Sequence, residues 1–184
     1  MIEILYDRLS WLYNGTETRR FHGRRMVHEQ TVGEHSLRMC LLLLCVNEWS
    51  KDASARSTTD MFRLLRAAVL HDLAEHVLGD IPAPTKHELN IHKEVDKLES
   101  ELLMTAGGLP VEALSLELQT RLKFVDCLDG MMTCVREREL GNTTLWDVYG
   151  QYSRYLGMLE LNPAEQELRT VVETLWSKAH GPTD

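Results

Sequence analysis

Along most of this chain the apolar residues return every three or four positions, and no stretch alternates with period two long enough to make a strand. That period admits helices and little else, so the expected fold is all-α, a single helical bundle. At 184 residues the chain fits one domain and can bury a core without disulfides or a stapling metal. The longest apolar run, Met39 to Val46, is eight residues, against the roughly 20 that a membrane-spanning helix needs. No membrane partner is therefore expected. No basic-then-apolar segment opens the chain, which favours a cytoplasmic setting over secretion.

Charge narrows the partners. Twenty Lys and Arg against 28 Asp and Glu give a net charge of −8, which disfavours binding to a nucleic-acid polymer. A small anionic ligand remains compatible with this balance, since a local cluster of cations can sit inside an acidic protein. Cys40, Cys45, Cys127 and Cys134 form no C-x-x-C pair and lie in apolar helical stretches, as buried reduced thiols do.

The periodicity predicts a first helix from Ile2 to Tyr13, with Ile2, Leu5, Leu9 and Leu12 on one stripe, stopping at Asn14-Gly15. A cation-rich connection, Thr16 to Gln30, follows. The second helix opens on Thr31-Val32-Gly33-Glu34, which has the form of a capping box, and reaches about Asn47. A third is predicted from Ser57–Thr59 to Gly79. Two prolines then argue against helix from Gly79 to Lys86. A fourth runs from about Glu88 to Thr105. After Pro110 a short helix and a long one to Leu140 are expected, then helices at Thr144–Leu159 and Pro163–Ala179.

Chemistry concentrates at His71-Asp72, polar residues that interrupt the apolar run Leu64, Leu65, Ala67, Ala68, Val69, Leu70. On a continuous helix Asp72 lies about 100° round from His71 and Glu75 about 40° round, between them, so one surface presents an imidazole and two carboxylates. Such groups are costly to bury unless paired, hydrogen-bonded or bound to metal. His35 precedes another apolar run, and Asp126 sits among Phe124, Val125, Cys127 and Leu128. Singly, His35 reads as a satisfied core histidine and Asp126 as a partner of Lys123. Together the four make a mixed N/O donor set suited to Mn, Fe, Co, Zn or Mg.

The order His35, His71-Asp72, Asp126 resembles the HD-domain metal-dependent phosphohydrolases. The words Glu34-His35-Ser36, His71-Asp72-Leu73-Ala74-Glu75, Gly79-Asp80-Ile81-Pro82 with Lys86, and Lys123-Phe124-Val125-Asp126 are similar to the small 5′-deoxynucleotidase (YfbR-like) subgroup. The likeness spans a motif-bearing core of about residues 5–140, with C-terminal helices at 141–180 completing the domain. It implies that His35, His71, Asp72 and Asp126 hold a divalent ion (Co, Mn, Zn or Mg), with a second ion near Glu75 as a further expectation. Glu75 would position or deprotonate the attacking water, and Asp80 would assist near the leaving group or sugar. Arg20 stands where the subgroup carries its phosphate-binding arginine, joined by Lys86 and Lys123. Phe21 stands where the family usually carries Trp, keeping an apolar wall against a 2′-hydroxyl and losing the indole donor.

The implied reaction is attack of water on the α-phosphorus of a 2′-deoxynucleotide. The substrate stays open between a monophosphate, releasing orthophosphate, and a triphosphate such as dATP, releasing triphosphate as small phage-type HD proteins do. The resemblance also implies a homo-oligomer. A non-catalytic nucleotide-binding HD module is the alternative, while a ferritin-like carrier lacks its Glu-x-x-His motifs here. His76 reads as turned away from the site, Glu88 and His92 as a surface pair, and Trp146, Tyr149, Tyr152 and Tyr155 as a packing stripe.

Overall fold

The computed structural model describes residues 2–49, 57–81 and 83–179. Among them are nine helices: α1 (Ile2–Glu17), α2 (Val32–Trp49), α3 (Thr58–Leu70), α4 (Glu75–Leu78), α5 (Ala83–Glu88), α6 (His92–Thr105), α7 (Leu116–Glu139), α8 (Trp146–Leu156) and α9 (Pro163–Lys178). Described residues outside them form no strand, only an isolated antiparallel bridge between Arg19 and Thr31. The all-α expectation is met. The chain divides into two compact units, the first comprising Met1–Arg24, Glu29–Leu37 and Arg66–Ala113, the second Arg25–His28, Arg38–Leu65 and Leu114–Asp184.

In the first unit, Val32, Leu70, Leu73 and Leu103 form a buried cluster against which Trp11, Leu12 and Leu109 pack. α1 does not stop at Asn14-Gly15 as expected. It continues because Gly15 is where α1 lies against α4: a Cβ there would come within 2.9 Å of the Leu73 carbonyl oxygen. His76 is half-buried in the same contact, its Nδ1 2.8 Å from the Leu73 carbonyl and its ring edge-on to Trp11. Of the predicted α1 stripe only Leu12 reaches the core; Ile2, Leu5 and Leu9 are exposed.

The third predicted helix breaks. α3 ends at Leu70, residues 71–74 form a turn, and α4 follows. Three-residue hydrogen bonds, Leu73 N–H to Leu70 O at 3.2 Å and Glu75 N–H to Asp72 O at 3.0 Å, tighten the backbone there. Helix also appears where the prolines argued against it. α5 places Pro84 in its first turn, where the missing N–H has no intrahelical partner to lose; Pro82 lies outside the described residues. Asn90, at φ 52°, separates α5 from α6, so Glu88 and His92 fall on different helices, both exposed. The short helix after Pro110 is absent, and α7 opens directly at a Ser115 cap.

In the second unit α7 packs against α8 and α9, and Phe124, Val125, Leu128, Met131, Cys134 and Val135 are buried. Tyr149 stacks on Trp176 at 3.9 Å, whereas Trp146 of the predicted stripe is exposed. Asn162 and Glu165 form a reciprocal capping box, and Arg121 of α7 is ion-paired to the buried Glu165. Glu137, 1% exposed, accepts from the Val27 and His28 N–H groups at 2.7 Å and from Asn142 Nδ2 at 2.8 Å. Burial alone would raise its pKa; the Val27, Asn142 and His28 contacts outweigh that and hold it below the ordinary value.

An added Cβ at Gly130 would come 2.5 Å from the Tyr152 ring, whereas at Gly150 it would meet nothing. Gly130→Ala should therefore cost about 1–3 kcal/mol by urea denaturation, while Gly150→Ala, in a helix interior, should gain up to about 1 kcal/mol. Glu137→Gln should cost about 1–3 kcal/mol at pH 7. A depressed folded pKa contributes stability above the unfolded pKa and loses it on acidification, so the gap to wild type should close below about pH 4.

Candidate active site

The capping box read at Thr31 is present. Thr31 Oγ1 accepts from Glu34 N–H at 3.2 Å, and Glu34 Oε2 accepts from Thr31 N–H at 3.1 Å. It fixes the start of α2, so His35 falls one turn in and is fully buried. Just before it, the chain returns on itself: Arg20 N–H donates to Gln30 O at 2.9 Å and Val32 N–H to Thr18 O at 2.8 Å. Arg20 is thereby held at the base of a loop, against α2.

These elements converge on Asp72, in the turn after α3. Arg20 Nη1 donates to Asp72 Oδ2. His71 Nε2 lies 3.2 Å from Asp72 Oδ1 and His35 Nε2 lies 3.7 Å from Asp72 Oδ2. The two imidazole rings are 5.2 Å apart between centroids. His71 Nδ1 is 3.0 Å from the Ala68 carbonyl. A carbonyl can only accept, so Nδ1 carries a proton, and the bond turns Nε2 toward Asp72. Burial raises the Asp72 pKa, but the His71, Arg20 and His35 charges outweigh it and keep the carboxyl well below its usual range. Within this unit the group fits a divalent ion by its donors: two imidazole nitrogens and an ionised carboxylate, the mixture borderline cations take.

Glu75 heads α4 and is buried, its Oε2 without a hydrogen-bond partner. Burial, then the Asp72 and Asp80 charges, push its pKa up to about 9 against the pull of Arg20 and Lys86. Asp80 Oδ2 accepts from the Phe21 N–H at 3.0 Å and lies 3.8 Å from His22 Nδ1. That bond fixes Phe21 in a left-handed conformation, φ 56°, which a bulky residue rarely adopts. The Phe21 ring lies 5.8 Å from the Arg20 guanidinium carbon. Lys86, on α5, pairs with Glu99 of α6 at 3.3 Å.

The first unit thus brings together His35, His71, Asp72, Glu75, Asp80, Arg20, Phe21 and Lys86. Asp126 and Lys123 belong to the second unit, on α7, where their side chains lie 2.6 Å apart across one helical turn. The Asp126 charge, with Cys127 and Tyr155 nearby, raises the Lys123 pKa against the effect of burial. Glu99 went unread in the sequence. The available signal was its place four residues after Val95 and four before Leu103, both buried: a carboxylate on the inward stripe of α6.

A family model described as 5′-deoxynucleotidase YfbR-like matches residues 9–175. A 5′-deoxynucleotidase of Schizosaccharomyces pombe is 31% identical over 98 residues, 53% of this chain and 39% of that protein. A dATP triphosphohydrolase of Salmonella phage PMBT28 is 27% identical over 133 residues, 69% of this chain and 66% of that protein. The chain therefore spans about two-fifths and just under two-thirds of these relatives' lengths. Among solved structures, the HD phosphohydrolase of cyanophage S-2L, bound to dA and one catalytic Zn2+ ion, superposes with a TM-score of 0.61 at 23% identity, covering 94% of this chain and 96% of that one. At that identity the likeness establishes the HD helical fold. With the family model matching most of its length, the chain belongs to the YfbR-like 5′-deoxynucleotidase family.

Proposed function

We propose that this protein is a metal-dependent phosphohydrolase that cleaves the 5′ phosphate ester of 2′-deoxynucleotides. The observation that carries the reading is the meeting of His35, His71 and Arg20 on the single carboxylate of Asp72, at the positions of the family's motif. His35, His71 and Asp72, with Asp126 of the second unit, are the ligands in this reading. The S-2L neighbour's catalytic Zn2+ supports a divalent ion, and the donor set accommodates Mn, Co or Mg as well. The buried, unpartnered oxygen of Glu75 is where a second ion would be held.

When bound, the ion acidifies water and offsets charge accumulating on the phosphoryl oxygens. The protein's own groups do the rest. Glu75 orients the attacking water in line with the ester bond. Arg20 and Lys86, with Lys123 from the second unit, hold phosphate oxygens through charge-assisted hydrogen bonds. Asp80 fixes Phe21, whose ring closes off the 2′ position, and stands near the sugar and leaving group. Cleavage at the α-phosphorus releases orthophosphate from a monophosphate or triphosphate from dATP.

Described residues include no helix long and apolar enough to cross a membrane. A cytoplasmic location fits the four free cysteines. Ile2, Leu5, Leu9 and Tyr13 present an exposed apolar face on α1, which supports association into a homo-oligomer.

His71→Ala and Asp72→Ala should each abolish hydrolysis of dAMP and dATP and lose metal by elemental analysis, with helical circular dichroism largely retained. Normal turnover in either variant would refute the site. Asp126→Ala should do the same, and retention of both metal and rate there would remove Asp126 from the ligand set.

A further inference from the structure

We infer that Glu137 is a positioning residue for this reaction: with Asn142 it clamps residues 25–28, and through them it keeps Phe21 in its left-handed conformation. The inference rests on the phosphohydrolase reading, in which the Phe21 ring closes off the 2′ position, and adds a residue outside every motif word that controls that ring. In sequence Glu137 belongs to the run Arg136-Glu137-Arg138-Glu139, the pattern of a solvated helix end. It is instead 1% exposed. A buried carboxylate is costly unless its oxygens are satisfied, and here backbone does most of that. Oε1 accepts from the His28 N–H and Oε2 from the Val27 N–H, both at 2.7 Å. Asn142 Nδ2 donates to Glu137 Oε2 and to the Arg25 carbonyl, each at 2.8 Å. The end of α7 sets up this second grip: Gly141, at φ 91°, turns the chain so that the Asn142 N–H reaches the Glu137 carbonyl at 2.9 Å. Two side chains thus hold three backbone groups of four consecutive residues, all within the second unit.

The stretch is not anchored by burying its own side chains. Arg24, Arg25, Val27 and His28 are exposed, Val27 to 60%, and Met26 is only partly buried. Immediately upstream, the Arg24 N–H donates to Phe21 O at 2.8 Å and closes a tight turn from Phe21 to Arg24. The clamp begins at the next residue. A bulky aromatic at φ 56° persists only where its surroundings impose that backbone. Asp80 imposes it from one side, at the Phe21 N–H. The turn and the clamp impose it from the other. Releasing residues 25–28 would let Phe21 relax toward the negative φ that phenylalanine prefers, redirecting its side chain while leaving the bonds around Asp72 in place. Glu137 therefore acts through Phe21, on the selection of the sugar.

The test measures binding of deoxyadenosine and adenosine by calorimetry, and kcat and KM for dAMP and AMP with Mn2+. It compares wild type with Glu137→Gln, Asn142→Ala, Phe21→Ala and the Phe21→Ala/Glu137→Gln pair. Wild type should favour the deoxy compound about tenfold or more in both measurements. Glu137→Gln and Asn142→Ala should each cut that ratio by about threefold or more, mainly through binding and KM. Phe21→Ala should remove it, and Glu137→Gln should change nothing further in that background, because both act through one ring. Lost stability alone lowers the amount of folded protein and leaves the ratio untouched, so a wild-type ratio in the clamp variants overturns the inference. Asn142→Ala carries the test if Glu137→Gln does not fold. A wild type that does not distinguish the two sugars, or a further loss in the double variant, overturns it as well. If wild type selects deoxyadenosine and the clamp variants lose that selection while neither nucleotide is cleaved, the clamp stands and the hydrolytic reading falls.

Discussion

A carboxylate at Asp72 with little access to solvent is the constraint around which the first unit is arranged. A charge in that position is tolerable only when other groups take over the work of water. Three residues do so: Arg20 from the loop before α2, His35 from the first turn of α2, and His71 from the turn after α3. Each is held from behind. The Thr31–Glu34 box sets the register of His35, the Thr18–Val32 and Arg20–Gln30 bonds close the Arg20 loop, and the Ala68 carbonyl orients the His71 ring. An arrangement with this much support behind every member is preorganised to hold charge, which phosphoryl transfer requires.

The break in helix between Leu70 and Glu75 has a functional consequence. Were α3 and α4 continuous, His71, Asp72 and Glu75 would keep ideal helical spacing. Instead the tightened turn sets their directions, while Leu73 points into the core between α1 and α6 partners and anchors the turn from the apolar side. The same segment is bounded by Asp80, which holds Phe21 in a left-handed conformation, so Phe21 and the carboxylate cluster are fixed by one stretch of chain. The loop's far end is secured separately, by Glu137 at Val27 and His28.

Features determined by local chemistry were legible in the sequence. The capping box at Thr31 and the all-helical periodicity depend on neighbours a few residues away, and the α2 start and the α9 span follow from them. The motif words carried the family, and eight of the ten residues they singled out meet in the first unit. Features set by tertiary packing were not legible. Gly15 read as a stop, and became helical because α4 needs a close approach there. The break at His71 is silent in the periodicity, since turn and helix place the same apolar residues inward. Glu99 and Glu137 are acids on helical stretches, and only their burial distinguishes them from solvated ones.

Anomalous diffraction from crystals grown with Mn2+ or Zn2+ and a non-hydrolysable deoxynucleotide addresses the metal assignment most directly. A strong peak within about 2.0–2.3 Å of His35 and His71 nitrogens and of Asp72 and Asp126 oxygens is the expected result. A peak bound elsewhere, or one coordinated without those two histidines, would contradict it.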